Sequence, residues 1–161
     1  MVRTPCRGLL RAISGELCEG AVELSSRSVS SSWTPGPLRC EVTAGEFTIA
    51  VDEPESVGGT GSAPQPTDLL LASVASCFTL ALVHSAAKRA IPLSDVRVDA
   101  VGDYVGPRFA ALRIIVDAAG PSQEELAKLL EAAQRVCYVT NTLRTAVTVD
   151  VVASALPSGG T

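Results

Sequence analysis

The chain has 161 residues, of which 47% are hydrophobic, 19% charged and 4% aromatic. That size fits one domain able to bury roughly 68–70% of its unfolded surface, with a core built from Ala, Val and Leu, and it excludes intrinsic disorder for the body of the chain. With 13 basic against 17 acidic side chains the net charge is −4, so no electrostatic footprint exists for nucleic acid or for an anionic membrane surface. So low a charge leaves apolar surface in excess, and association into an oligomer is the plainest way to cover it.

Residues 1–23 have mixed charge and weak periodicity. Arg3, Arg7 and Arg11 surround only the short apolar pair Leu9-Leu10, which is no secretory segment; a short helix or strand is the most this extension is expected to form. The main domain is expected over residues 24–155, followed by a flexible tail over 156–161. Strand-like alternation begins at Val22 and is broken by Trp33-Thr34-Pro35-Gly36-Pro37, which has turn chemistry. Leu38–Val42 and Glu46–Val51 read as a hairpin joined at Thr43-Ala44-Gly45. After Asp52-Glu53-Pro54 comes a loop holding Gly58, Gly59 and Gly61 and closing on Pro64 and Pro66. It has neither the Rossmann spacing nor the Lys-Ser/Thr of a phosphate-binding loop, and its prolines remove amide donors that a phosphate would need. The loop reads as a connector.

Leu69–Ala87 contains only Cys77 and His84 as ionisable members and is bounded by Asp68 and by Lys88-Arg89. It is apolar all round, which marks either a membrane span or a helix buried in protein. Interspersed Ser and Thr and the lack of a second such segment favour the buried helix. Pro66 suits its first turn, and Asp68 complements the dipole there. Val96–Tyr104 and Arg108–Ala118 form a second hairpin around Gly106-Pro107. Ser122 opens an amphipathic helix with a Ser-x-x-Glu capping box to Glu125, ending near Cys137. A short turn through Thr140 to Leu143 and a final strand over Ala146–Ala153 complete the pattern. Strands, long helix, two strands, helix and strand make an α+β fold rather than a βαβ wind.

The five cysteines are Cys6, Cys18, Cys40, Cys77 and Cys137, and His84 is the single histidine. An odd count without Cys-x-x-Cys spacing gives no disulfide framework, and clustered metal ligands are lacking, so no metal or other cofactor is expected. The expected compartment is a reducing cytoplasm, where a cysteine is either inert packing or chemistry.

Asp68 to Phe78, with Cys77 near its end and the Gly-Gly-Thr-Gly and Pro-Gln-Pro loop before it, closely resembles the signature helix of the OsmC/Ohr family, the osmotically inducible and organic-hydroperoxide-resistance proteins. Cys137-Tyr138-Val139-Thr140-Asn141-Thr142-Leu143 resembles the family's second cysteine motif, and Asp52-Glu53-Pro54 with Gly58-Gly59 resembles an OsmC-like branch. The resemblance runs from about Ser25 to Ala153. It implies antiparallel sheets around a long buried central helix, an intertwined homodimer, and a thiol-dependent peroxidase that reduces small organic hydroperoxides, in preference to hydrogen peroxide, to alcohols with an external thiol or dithiol as reductant.

On that resemblance Cys77 is the peroxidatic thiolate and Cys137 the resolving thiol. A cysteine of ordinary pKa is only about 3% ionised at pH 7, so a cation is needed beside Cys77. Arg39 is the candidate, with Arg27 as the alternative. The family's carboxylate falls at Thr67 or at Asp68, depending on branch. Asp68 lies nine residues before Cys77, about 13.5 Å away and half a turn round the helix, so the two cannot touch within one chain. His84, about 10.5 Å beyond Cys77, is expected to be a buried structural residue. Val74, Phe78 and Leu80 are expected around an apolar substrate pocket. The competing reading is a non-catalytic OsmC-like dimer that binds an apolar small molecule.

Overall fold

The computed structural model describes residues 25–145 and 147–153; the expected N-terminal element and the tail lie outside them. Strands β1 (Ser30–Ser32), β2 (Arg39–Ala44) and β3 (Phe47–Asp52) form an antiparallel sheet. The β1–β2 connection is pinned where the Trp33 indole donates to the Pro37 carbonyl at 3.0 Å. The β2–β3 turn is allowed by Gly45 at φ +63, a left-handed conformation that glycine adopts without strain. A 3-10 turn over Glu55–Val57 leads through the glycine loop into helix α1 (Pro66–Arg89). Strands β4 (Asp95–Val105) and β5 (Arg108–Ala119) make a long hairpin with an irregularity between Asp103 and Tyr104. Helices α2 (Gln123–Val136) and α3 (Tyr138–Arg144) complete the described chain.

Capping decides where the helices start. Pro66 occupies the first turn of α1, and the Asp68 carboxylate accepts from the Gln65 amide at 3.0 Å. At α2 the Ser122 hydroxyl accepts from the Glu125 amide at 3.3 Å, while the Glu125 carboxylate accepts from the Ser122 amide at 2.8 Å. Such a reciprocal cap stabilises a helix by about 1 kcal/mol.

Packing places α1 at the centre, against α2, α3 and β4. The core joins Phe78, Ala81, Leu82 and Ala86 of α1 to Leu129 and Ala133 of α2 and to Cys137. Leu82 and Leu129 are wholly buried, and each such side chain contributes about 1.5–3 kcal/mol through burial. The β1–β2–β3 sheet is tied instead to the glycine loop, with the Leu38 amide donating to the Gly58 carbonyl at 2.8 Å and the Asp52 amide to the Pro64 carbonyl at 3.1 Å.

The α+β architecture with antiparallel sheets and one long helix is as the sequence suggests, and four details differ. Among the described residues α1 is buried on one side, through Val74, Phe78, Ala81, Leu82, Ser85 and Ala86; by length and composition it could cross a membrane, with a mean hydropathy of 1.9 over its most apolar window and 33% of that window buried. His84 is exposed rather than buried, because it lies on the side of α1 away from α2. The segment from Thr140 to Leu143 is part of helix α3, not a turn. Residues 147–153 form no strand. Their alternating valines have strand character, but a strand exists only where its amides and carbonyls find a neighbour, and no edge within the described residues pairs with them; Val149 and Val151 are 82% and 92% exposed.

Candidate functional site: a dithiol at the centre of three helices

Cys77 projects from the middle of α1 beside buried Phe78 and is itself half-buried. Cys137 joins α2 to α3 and is wholly buried. Its amide donates to the Ala133 carbonyl at 2.9 Å and its carbonyl accepts from the Asn141 amide at 3.1 Å, so its backbone belongs to both helices. Because α1 packs against both, the two sulfurs, 60 residues apart in sequence, lie 3.3 Å from each other. A disulfide bond is about 2.04 Å long, so the remaining approach is a matter of side-chain rotation.

The surroundings of Cys137 act on its ionisation in opposite directions. Burial pushes the thiol up; hydrogen bonds from the Thr140 hydroxyl, the Thr140 amide, the Cys77 thiol and the Val139 amide outweigh this, and the thiol lies below its ordinary value. With both thiols protonated Cys137 donates to Cys77; once Cys137 ionises the bond reverses and Cys77 becomes the donor.

The other residues singled out by sequence lie elsewhere. Arg39 opens β2 and is exposed, beside half-buried Cys40 in a small surface cleft. Arg27 precedes β1 and is also exposed. Asp68 caps α1 through the Gln65 amide. Thr67, by contrast, lines a cavity of about 540 Å³ together with Val74, Arg108, Phe109, Thr140 and Arg144. Val74 lines this cavity. Phe78 is a core residue, and Leu80 is 69% exposed on the opposite side of α1; neither lines it. A helix cannot present positions 74, 78 and 80 on one face, since the step from 78 to 80 turns it by about 200°. No cluster of three metal-ligating side chains exists among the described residues.

Two features were not read from the sequence. One is Thr140, which lies at the dithiol and at the cavity; a hydroxyl three residues after a helix-flanking cysteine was the available signal. The other is buried Asp52. Its carboxylate accepts from the amides of Glu53, Thr60 and Ser62 at 2.9, 3.0 and 3.0 Å and from the hydroxyls of Thr60 and Ser62. The Thr60 hydroxyl bond is the largest influence and, with the remaining bonds to Ser62 and Thr60, overcomes burial to hold the carboxyl far below the usual carboxylate range. An acid immediately before a glycine loop that carries Thr60 and Ser62 was the signal. It fixes the loop from which α1 starts.

Two antiparallel sheets and a long helix, with two thiols in contact at its midpoint, define an α+β dithiol protein. Residues 59–152, more than half of the chain, match the family described as OsmC-like protein, and the chain belongs to that family. Comparison with curated protein sequences returns no significant match. Similar solved structures include an organic hydroperoxide resistance protein OsmC from Legionella pneumophila, 26% identical, with a TM-score of 0.57 over 75% of this chain and 90% of that one. An organic hydroperoxide resistance protein from Elizabethkingia anophelis is 23% identical with a TM-score of 0.62, covering 77% of this chain and 91% of its own. An osmotic stress induced and detoxification response protein from Psychrobacter arcticus, 21% identical, gives a TM-score of 0.62 over 76% of this chain and 91% of that one.

Proposed function

We propose that the chain is a thiol-dependent peroxidase that reduces organic hydroperoxides to alcohols. The observation that carries this reading is the 3.3 Å approach of the Cys77 and Cys137 sulfurs. Cys77, the more accessible of the two, attacks the terminal peroxide oxygen as a thiolate. The S–O bond forms, the O–O bond breaks, and the departing alkoxide takes a proton to become the alcohol. Cys137 then attacks the Cys77 sulfenic acid; the S–S bond forms, the S–O bond breaks, and hydroxide leaves as water. An external thiol or dithiol of a reducing cytoplasm supplies two electrons to reopen the disulfide. The relatives named for organic hydroperoxide resistance support the substrate class, and the cavity lined by Leu70, Val74 and Phe109 suits an apolar peroxide.

The working form is proposed to be an intertwined homodimer in which the exposed side of α1 meets protein rather than lipid. Phe47, 74% exposed on β3, and the unpaired valines of residues 147–153 are further surfaces that a second copy would cover. Arg39 would supply the cation for a Cys77 across that interface.

The test is to treat the reduced protein with one equivalent of cumene hydroperoxide and to map disulfides by mass spectrometry. A Cys77–Cys137 bridge formed as fast as the peroxide disappears is the expected result. Undiminished peroxide consumption by Cys77→Ser would overturn it. A non-catalytic dimer holding an apolar molecule is favoured only by Thr67 standing at the cavity where classical members carry a carboxylate; it requires that peroxide leave both thiols intact.

A further inference from the structure

Thr140 is 6% exposed, sits in the first turn of α3, and places its hydroxyl 3.3 Å from the Cys137 carbonyl oxygen. Cys137 is the N-cap of α3 and Thr140 the third residue of that helix, the spacing at which the two side chains share one face of the first turn, so a rotation of the hydroxyl brings it to the sulfur; the residue also forms part of the cavity wall. One hydroxyl proton therefore has two acceptors. When Cys137 is a neutral thiol the carbonyl is the better one. When Cys137 is a thiolate the charged sulfur is, since hydrogen bonds to charged groups are the stronger class. Wholly buried Cys137 has no water to solvate its charge, so that protein donors must do so.

We propose that Thr140 is a positioning residue for closure of the disulfide: its hydroxyl turns from the Cys137 carbonyl to the Cys137 sulfur, solvating the thiolate and holding it aimed at Cys77. The inference rests on the resolving role given to Cys137 above. In the step it serves, Cys137 is oxidised as it donates an electron pair to the Cys77 sulfenic sulfur, the S–O bond breaks, and the released hydroxide is protonated to water. That the Cys137 thiol lies below its ordinary value agrees with this arrangement.

Thr140→Val keeps the shape of the side chain and removes its proton donor; Thr140→Ser keeps the donor. Cys137 is titrated by the ultraviolet absorbance of its thiolate, as the difference between each protein and the same protein carrying Cys137→Ser. Disulfide closure after one equivalent of cumene hydroperoxide is timed separately from Cys77 oxidation, which is trapped with dimedone. In Thr140→Val the Cys137 titration is expected to move to higher pH and closure at pH 7, measured from the separately timed oxidation of Cys77, to slow by about tenfold, the scale of one hydrogen bond to a charged group. Thr140→Ser is expected to restore both. An unmoved titration in Thr140→Val, a failure of serine to restore it, or an effect confined to the KM for peroxide would overturn the proposal. If the valine variant does not fold, Thr140→Ala carries the same titration. Because the titration needs no peroxide, it decides the role of Thr140 even if the protein proves to have no peroxidase activity.

Discussion

Arg39 and Asp52 stand opposite each other at the far end of the β2–β3 hairpin, yet their charges do not meet. The Asp52 carboxylate is taken by the amides and hydroxyls of Thr60 and Ser62, and among the described residues the Arg39 guanidinium makes no ion pair. A permanent cation left without its neighbouring acid is available to a sulfur anion brought to it by another subunit. On the proposed reading, Arg39→Ala slows oxidation of Cys77 by cumene hydroperoxide by about a hundredfold or more, with the melting temperature unchanged. Arg39→Lys retains part of the rate and Arg27→Ala behaves as the parent. Stopped-flow measurement of the first turnover checks this, and a loss that falls on Arg27→Ala would move the role to that residue.

Asp52 predicts how the fold responds to acid. Its carboxyl is held below its unfolded value, roughly 3.9, first by the Thr60 hydroxyl. Protons are therefore bound more tightly by the unfolded chain, and the stabilisation is fully present above about pH 4 and lost as the pH falls toward the folded value. Asp52→Asn presents an amide to donors that need an acceptor, so at neutral pH its melting temperature is expected to fall by roughly 5–10 °C. Below pH 4 the gap between the two proteins should narrow. Thermal melts between pH 2 and pH 7 check it; a constant gap would show that Asp52 is not ionised in its cage.

Periodicity and capping made the hairpins and the first two helices legible, because Ser122, Glu125, Pro66 and Asp68 act on their own neighbours in sequence. The cysteine pair was legible only through resemblance, since nothing local at Cys77 refers to a residue 60 positions away. What escaped was decided by tertiary context. His84 was expected inside because its helix is apolar, but the buried residues of α1 lie on one side of it, and His84 is not among them. The valines of residues 147–153 carry a strand pattern without a strand, for want of a partner edge. Thr140 was read as part of a turn, although the Cys137 carbonyl starts the hydrogen bonding of α3 and draws the segment into a helix.

The loop before α1 depends on Gly59 for a reason distinct from backbone freedom. A Cβ at that position would run into the Glu53 carbonyl and the Asp52 carboxylate, whereas one at Gly61 meets nothing within 4 Å and suffers only from a φ of +62. Gly61→Ala should therefore cost about 1 kcal/mol, the strain of a left-handed alanine. Gly59→Ala must displace backbone and break the Asp52 bonds, which places it in the range of about 2–4 kcal/mol. Denaturant melts of both variants check the order; equal losses would mean that the loop gives way without disturbing Asp52.

The uncovered side of α1 leads to a prediction about assembly. Ser76, Leu80, Val83 and Ala87 recur at helical spacing and are all exposed in the single chain, Leu80 by 69%. In a two-fold dimer formed through this face each contact occurs twice. Burying one leucine is worth about 2 kcal/mol, so removing both copies weakens association by about a thousandfold. Leu80→Glu adds the penalty of two like charges brought together without water, and it touches none of the core residues Phe78, Leu82 and Leu129. The variant is expected to sediment as a folded monomer at micromolar concentration while the parent sediments as a dimer. Loss of the dimer should also remove most peroxide turnover if Arg39 acts across the interface, while leaving the Cys77–Cys137 approach intact. A Leu80→Glu protein that keeps the mass of the parent would place the interface on another surface.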